Sequence, residues 1–174
     1  MAVTAHTSAL AGSIANNNWA FEQREYGPFA AAAAGNQAAI GTDGNFCLGV
    51  MPFAGDIEKI SIRVGTLAAA DPDTIQFKVA ASGVAVASAT AITAAEPLTT
   101  NANAALAADT FVDVPFSGTA HKNLAEGTAI WLTSAGTIVT MANLMIHITY
   151  RRGGYTTNDA GLKVYTGYGN PPNP

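Results

Sequence analysis

The sequence predicts an all-β protein: a single jelly-roll-like β-sandwich of about eight strands with extended N- and C-terminal arms. Three observations carry this prediction. Apolar and polar residues alternate over several short stretches, the period of a strand with one buried face. Gly, Pro, Asn and Asp clusters interrupt the chain at short spacing, as turns do. No stretch has the apolar spacing of a long helix.

The 174 residues are enough for one domain with a buried core. Charged residues make up 11% of the chain, against roughly 25% in ordinary soluble domains. A surface so poor in charge is expected to be partly covered by copies or partners in an assembly. The net charge of −4 argues against nucleic-acid binding, which needs an electropositive footprint. No membrane partner is expected, because no run approaches the ~18 apolar residues of a spanning helix. The first residues lack the basic start and apolar block of a secretory signal. The single cysteine, Cys47, excludes an internal disulfide. It lies between Phe46 and Leu48 and is expected to be a small buried hydrophobe.

Taken in order, residues 1–27 read as an N-terminal arm, 28–152 as the sandwich and 153–174 as a C-terminal arm. Trp19 and Phe21, with Arg24 close by, have two readings. They are either a first edge strand whose aromatics join the core, or an arm docking aromatic anchors on a neighbouring subunit. Residues 28–35, PFAAAAAG, are too few alanines to nucleate a helix and are expected as a short strand. Residues 46–53 are expected as a largely apolar strand that Pro52 ends or pushes to an edge. In 57–64, Ile60, Ile62 and Val64 point one way and Lys59, Ser61 and Arg63 the other. In 74–79, Ile75, Phe77 and Val79 point in, and a hairpin returns through 84–92. Residues 93–108 lack pattern, Pro97 blocks a helix, and a long surface loop is expected.

Val112, Val114 and Phe116 mark the next strand. The chain then reaches its organising stretch, 130–152, with two apolar runs around Gly136 and Asn143. Leu144, Ile146, Ile148 and Tyr150 fall on one face; Met145, His147, Thr149 and Arg151 fall on the other. Residues 162–165 offer one more strand in the tail, and 170–174 carry three prolines that no ladder accepts. Tyr155 and Tyr165 in this tail read as surface packing or as a second contact arm.

Catalytic chemistry finds no anchor. His6, His121 and His147 stand in an arm, a turn and an outward strand position. No zinc spacing, nucleophile elbow or phosphate loop is present. Asp71 and Asp73 around Pro72 fall short of the about six to eight oxygens that calcium takes. The chain is therefore expected not to be an enzyme and to carry no cofactor or metal.

Four segments together carry a resemblance: Gly55-Asp56-Ile57-Glu58-Lys59-Ile60-Ser61-Ile62, a hairpin with Gly83 before Val84, Leu124-Ala125-Glu126-Gly127-Thr128-Ala129-Ile130-Trp131-Leu132, and Leu144-Met145-Ile146-His147-Ile148-Thr149-Tyr150-Arg151. Over residues 46–152 the chain resembles small β-sandwich virion proteins of tailed bacteriophages, in particular capsid decoration (cement) proteins. The resemblance implies a structural protein made in the host cytoplasm and held on the outer capsid surface. It implies a homotrimer bracing the major capsid protein. Trp19, Phe21, Arg24, Tyr155 and Tyr165 are the contact residues expected from their type and position in the arms. A neck, tail or fibre component and a carbohydrate-binding jelly-roll module are the alternatives.

Overall fold

The computed structural model describes residues 21–32, 35–41, 44–69, 73–152, 155–157 and 163–165. The protein is all-β. Its strands are β1 (Phe21–Ala30), β2 (Ala38–Ala39), β3 (Asn45–Val50), β4 (Gly55–Arg63), β5 (Thr74–Ala80), β6 (Thr90–Ala91), β7 (Glu96–Pro97), β8 (Phe111–Asp113), β9 (Ala129–Ala135), β10 (Leu144–Arg152), β11 (Tyr155–Thr157) and β12 (Lys163–Tyr165). One five-stranded sheet runs β2-β1-β10-β4-β8. A second runs β3-β9-β5-β6, with β7 also on β5. Strands β11 and β12 pair separately.

The pairings nest. β1 pairs with β10, β3 with β9, β4 with β8 and β5 with β6, all antiparallel.

The stretch 130–152 supplies one central strand to each sheet, β9 and β10. The chain crosses between them with positive φ at Gly136 (88°) and Asn143 (53°), residue types that tolerate it. The final apolar run does not close its sheet at an edge. It inserts between β1 and β4, and Leu144, Ile146, Ile148 and Tyr150 are each fully buried. They meet Ile60 and Ile62 of β4, Ile75 and Phe77 of β5, and Ile130 and Leu132 of β9 in one core. Each such side chain contributes about 1.5–3 kcal/mol on burial.

Several expectations need correction. Residues 21–27, assigned to an arm, are the first part of β1, in register with β10 from Phe21↔Arg151 to Tyr26↔Ile146. Charged Glu22 and Arg24 occupy the half-buried phase of this strand, which hides its alternation in the sequence. Residues 1–20, Trp19 among them, lie outside the described residues. The alanine run is not a strand of its own: Phe29 and Ala30 end β1 beyond a bulge that begins after Tyr26.

Cys47 is exposed. Phe46 and Leu48 take the inward phase of β3, so the residue between them must face out. In 84–92 a 3₁₀ turn at Val86–Ser88 replaces most of the expected strand, and only Thr90–Ala91 pairs with β5. The 93–108 segment is anchored by β7 and buries Leu98 and Leu106. In the tail, β12 supplies the expected extra strand; residues 166–174 lie outside the described residues.

Candidate functional site

Register places a polar array on the outward face of the β2-β1-β10-β4-β8 sheet. Glu25 lies opposite His147, His147 opposite Ser61, and Ser61 opposite Asp113, a row across four strands. One step along, Gln23, Thr149 and Lys59 form a second row. On the other side, Met145, Arg63 and Phe111 form a third. All share the outward phase because strand side chains repeat every two residues.

The rows are tied by hydrogen bonds. His147 Nε2 is 2.6 Å from Glu25 Oε2, and His147 Nδ1 is 3.2 Å from Gln23 Nε2. The Ser61 hydroxyl donates to Asp113 Oδ1 at 2.7 Å. Lys59 Nζ stands 2.9 Å from the same oxygen. Lys59 and Ser61 together hold the Asp113 carboxyl below its ordinary value. Phe111 stacks on the His147 ring, centroids 4.2 Å apart and planes 29° apart, and the Arg63 guanidinium lies 5.8 Å from its centroid.

Of these, Gln23, Lys59, Ser61, Phe111, Asp113, His147 and Thr149 line a groove of about 690 Å³. The 93–108 segment and its continuation supply one wall, Ala105 and Thr110. That wall is pinned from within. Asn103 N–H donates to the Thr99 carbonyl (2.9 Å), Ala105 N–H donates to Asn103 Oδ1 (3.1 Å), and the Asn103 side chain bonds Glu96. Asp109 N–H reaches back to the Val64 carbonyl at 2.8 Å. The sequence shows the outward phases of β4 and β10. It does not show the register that aligns them with β1 and β8.

The hydrogen bonds of this array do not join a nucleophile to a base. Ser61 and His147 are cross-strand neighbours, yet the hydroxyl donates to Asp113 and both imidazole nitrogens face other partners. A nucleophile–base bond is not formed. Among the described residues, no group of three or more His, Cys, Asp or Glu side chains is placed to hold a metal.

A second polar cluster braces one end of the same sheet. Asp56, nearly buried, accepts from Arg151 (2.5 Å) and from Asn123 N–H (2.8 Å). His121 stacks on Phe116 at 3.8 Å with planes 8° apart. Burial, and then Lys122, push the His121 imidazole below its ordinary value. Inside the sandwich the Tyr26 and Tyr150 hydroxyls share a 2.7 Å hydrogen bond. Burial and that bond raise the Tyr150 phenol far above its ordinary value.

The outward face of the other sheet is different. Cys47, Trp131, Lys78 and Ala91 align in one row, and Asn45, Thr133 and Gln76 in the next. Lys78 is the one charge in these rows. The Trp131 indole N–H is buried without a hydrogen-bond partner among the described residues. Val50, 45% exposed, extends this face beyond the first row.

Of the contact residues expected from sequence, the described side chains of Phe21 and Arg24 do not line the groove. Phe21 is 43% exposed at the start of β1, opposite Arg151. Arg24 takes the opposite phase and is held by Glu22 at 2.5 Å, so these two do not form one patch. Tyr155 and Tyr165 are brought together as cross-strand partners in the β11–β12 hairpin. Compared with family models, with curated proteins and with solved structures, the chain finds no match.

Proposed function

We propose that this chain is a structural virion protein, and that it decorates a phage capsid by laying its β3-β9-β5-β6 face against the shell. The carrying observation is the near-absence of charge on that face, where Cys47, Trp131, Thr133 and Gln76 surround the single Lys78. Burying such a face against protein removes apolar and small polar groups from water and strands few charges. The nested pairing of two sheets fits the jelly-roll form of the reading. The sequence resemblance supplies the particular partner, the major capsid protein, and the homotrimeric state. A trimer seated on three capsid sites gains effective concentration that one subunit lacks.

The test is saturable binding of the purified chain to phage heads assembled without it, with the mass of the free protein measured alongside. A trimer that binds heads, and a Cys47→Asp variant that folds but does not bind, are the expected results. Binding to tails instead of heads would move the protein to the neck, tail or fibre. A monomer that binds neither would overturn the reading.

A further inference from the structure

We propose that the groove over β10 and β4 is a binding site for a neutral oligosaccharide. This goes beyond the docking role and uses the opposite face of the sandwich.

The argument rests on what each kind of ligand would need. An anion needs uncompensated cations, but Lys59 is neutralised by Asp113, and Arg63 stands 4.0 Å from Asp109. A cation needs free carboxylates, but Asp113 is engaged by Lys59 and Ser61 and Glu25 by His147. A peptide adding itself as a strand would find only the three-residue edge of β8 to pair with, because the floor strands β10 and β4 are each paired on both sides.

What the groove does offer is an aromatic ring set among neutral or neutralised hydrogen-bonding groups. Phe111 is 42% exposed, and His147 backs it at 4.2 Å, so its orientation is set before any ligand arrives. The Thr149 hydroxyl has no protein partner among the described residues. Gln23 has one amide atom committed to His147 and the other free to bond. Asp113 and Lys59 keep further acceptor and donor capacity beyond their mutual pair. A pyranose matches this set: its C–H face lies on an aromatic ring while its hydroxyls both donate and accept. The volume of about 690 Å³ lies in the range of small-molecule sites, in a groove that is more open than enclosed. Its floor is a rigid sheet, which holds these groups in place without loop ordering on binding.

The test is NMR titration of the full chain with cellohexaose, maltohexaose and the hexamer of N-acetylglucosamine, each to millimolar concentration, together with a glycan array carrying neutral and sialylated structures. Saturable binding of a neutral glycan is expected, with shift changes centred on Phe111, His147 and Thr149. Phe111→Ala should weaken it about tenfold. Thr149→Val, which keeps size and strand preference, should weaken it severalfold. Both variants should keep the wild-type fold, and the Cys47→Asp variant should bind glycan normally even where it fails on capsids. Binding of sialylated glycans alone, binding insensitive to both groove variants, or no glycan binding at all would each overturn the proposal. So would a change in oligomeric state with Phe111→Ala and no glycan bound, since the groove would then be a contact between copies.

Discussion

The two outward faces of the sandwich are built on the same core and the same alternation, yet they differ in chemistry. The β2-β1-β10-β4-β8 face carries Glu25, Lys59, Arg63, Asp113 and His147 in cross-strand register. The β3-β9-β5-β6 face carries Lys78 and, at its middle, Trp131. In a chain with so few charges, placing most of a sheet's polar groups in one array leaves the other face smooth. The difference teaches that low charge is not spread evenly here, and that a composition average conceals two surfaces of different chemistry.

The largest effect should come from breaking the core that both faces share. Ile146→Asp places a carboxylate at a fully buried position between Tyr26 of β1 and Ile62 of β4. An unpaired buried charge costs more than about 4 kcal/mol, so the variant should not fold, as circular dichroism and NMR would report. A folded, soluble Ile146→Asp would reverse the inside and outside of β10. Removal of residues 1–27 should also unfold the domain, because it strips the ladder from Phe21 to Tyr26 off the central strand.

The next effect compares the faces directly. Trp131 sits half-buried on the smooth face, whereas Phe111 stands exposed on the short edge strand β8. Trp131→Ala should cost about 2 kcal/mol and Phe111→Ala about 1 kcal/mol or less in chemical denaturation. Equal costs would mean that the smooth face is no better packed than the groove.

A smaller effect depends on pH. His121 is held below its ordinary value by burial against Phe116 and by Lys122, with Asp56 and Glu58 opposing. Its folded value lies below its unfolded one, so the fold favours the neutral ring. The corresponding stability is present above about pH 6.5 and is lost as pH falls through the folded value. Thermal melts from pH 8 to pH 5 should show a decline that His121→Phe flattens. Identical profiles for the two proteins would remove His121 as the cause.

The smallest effect lies on the charged face. Lys59 and Asp113 are both largely exposed, so Lys59→Ala should cost less than about 1 kcal/mol and the cost should fade with added salt.

The parts of the fold visible in the sequence are those with one wet face. Ile60, Ile62 and Val64, Ile75, Phe77 and Val79, and the four inward residues of β10 can be assigned from period alone. Strand β1 could not, because Glu22 and Arg24 sit on its inward phase near the end of the sheet, where half-burial tolerates an ion pair. Cys47 lies in a run of apolar neighbours that suggests burial, and only the alternation of β3 turns it outward. The groove was not readable. Glu25, His147, Ser61 and Asp113 are scattered along the chain, and only the pairing of β1, β10, β4 and β8 aligns them. Nothing local in a sequence records the register between strands so far apart.

The central claim, that the smooth face is the docking face, can be read from the protein's own single thiol. Cys47 is exposed in the middle row of that face. The measurement is the rate of Cys47 alkylation in the free protein and in the protein bound to phage heads. Ready reaction when free and strong protection when bound is the predicted result. An unchanged rate on bound heads would contradict it and place the contact elsewhere on the molecule.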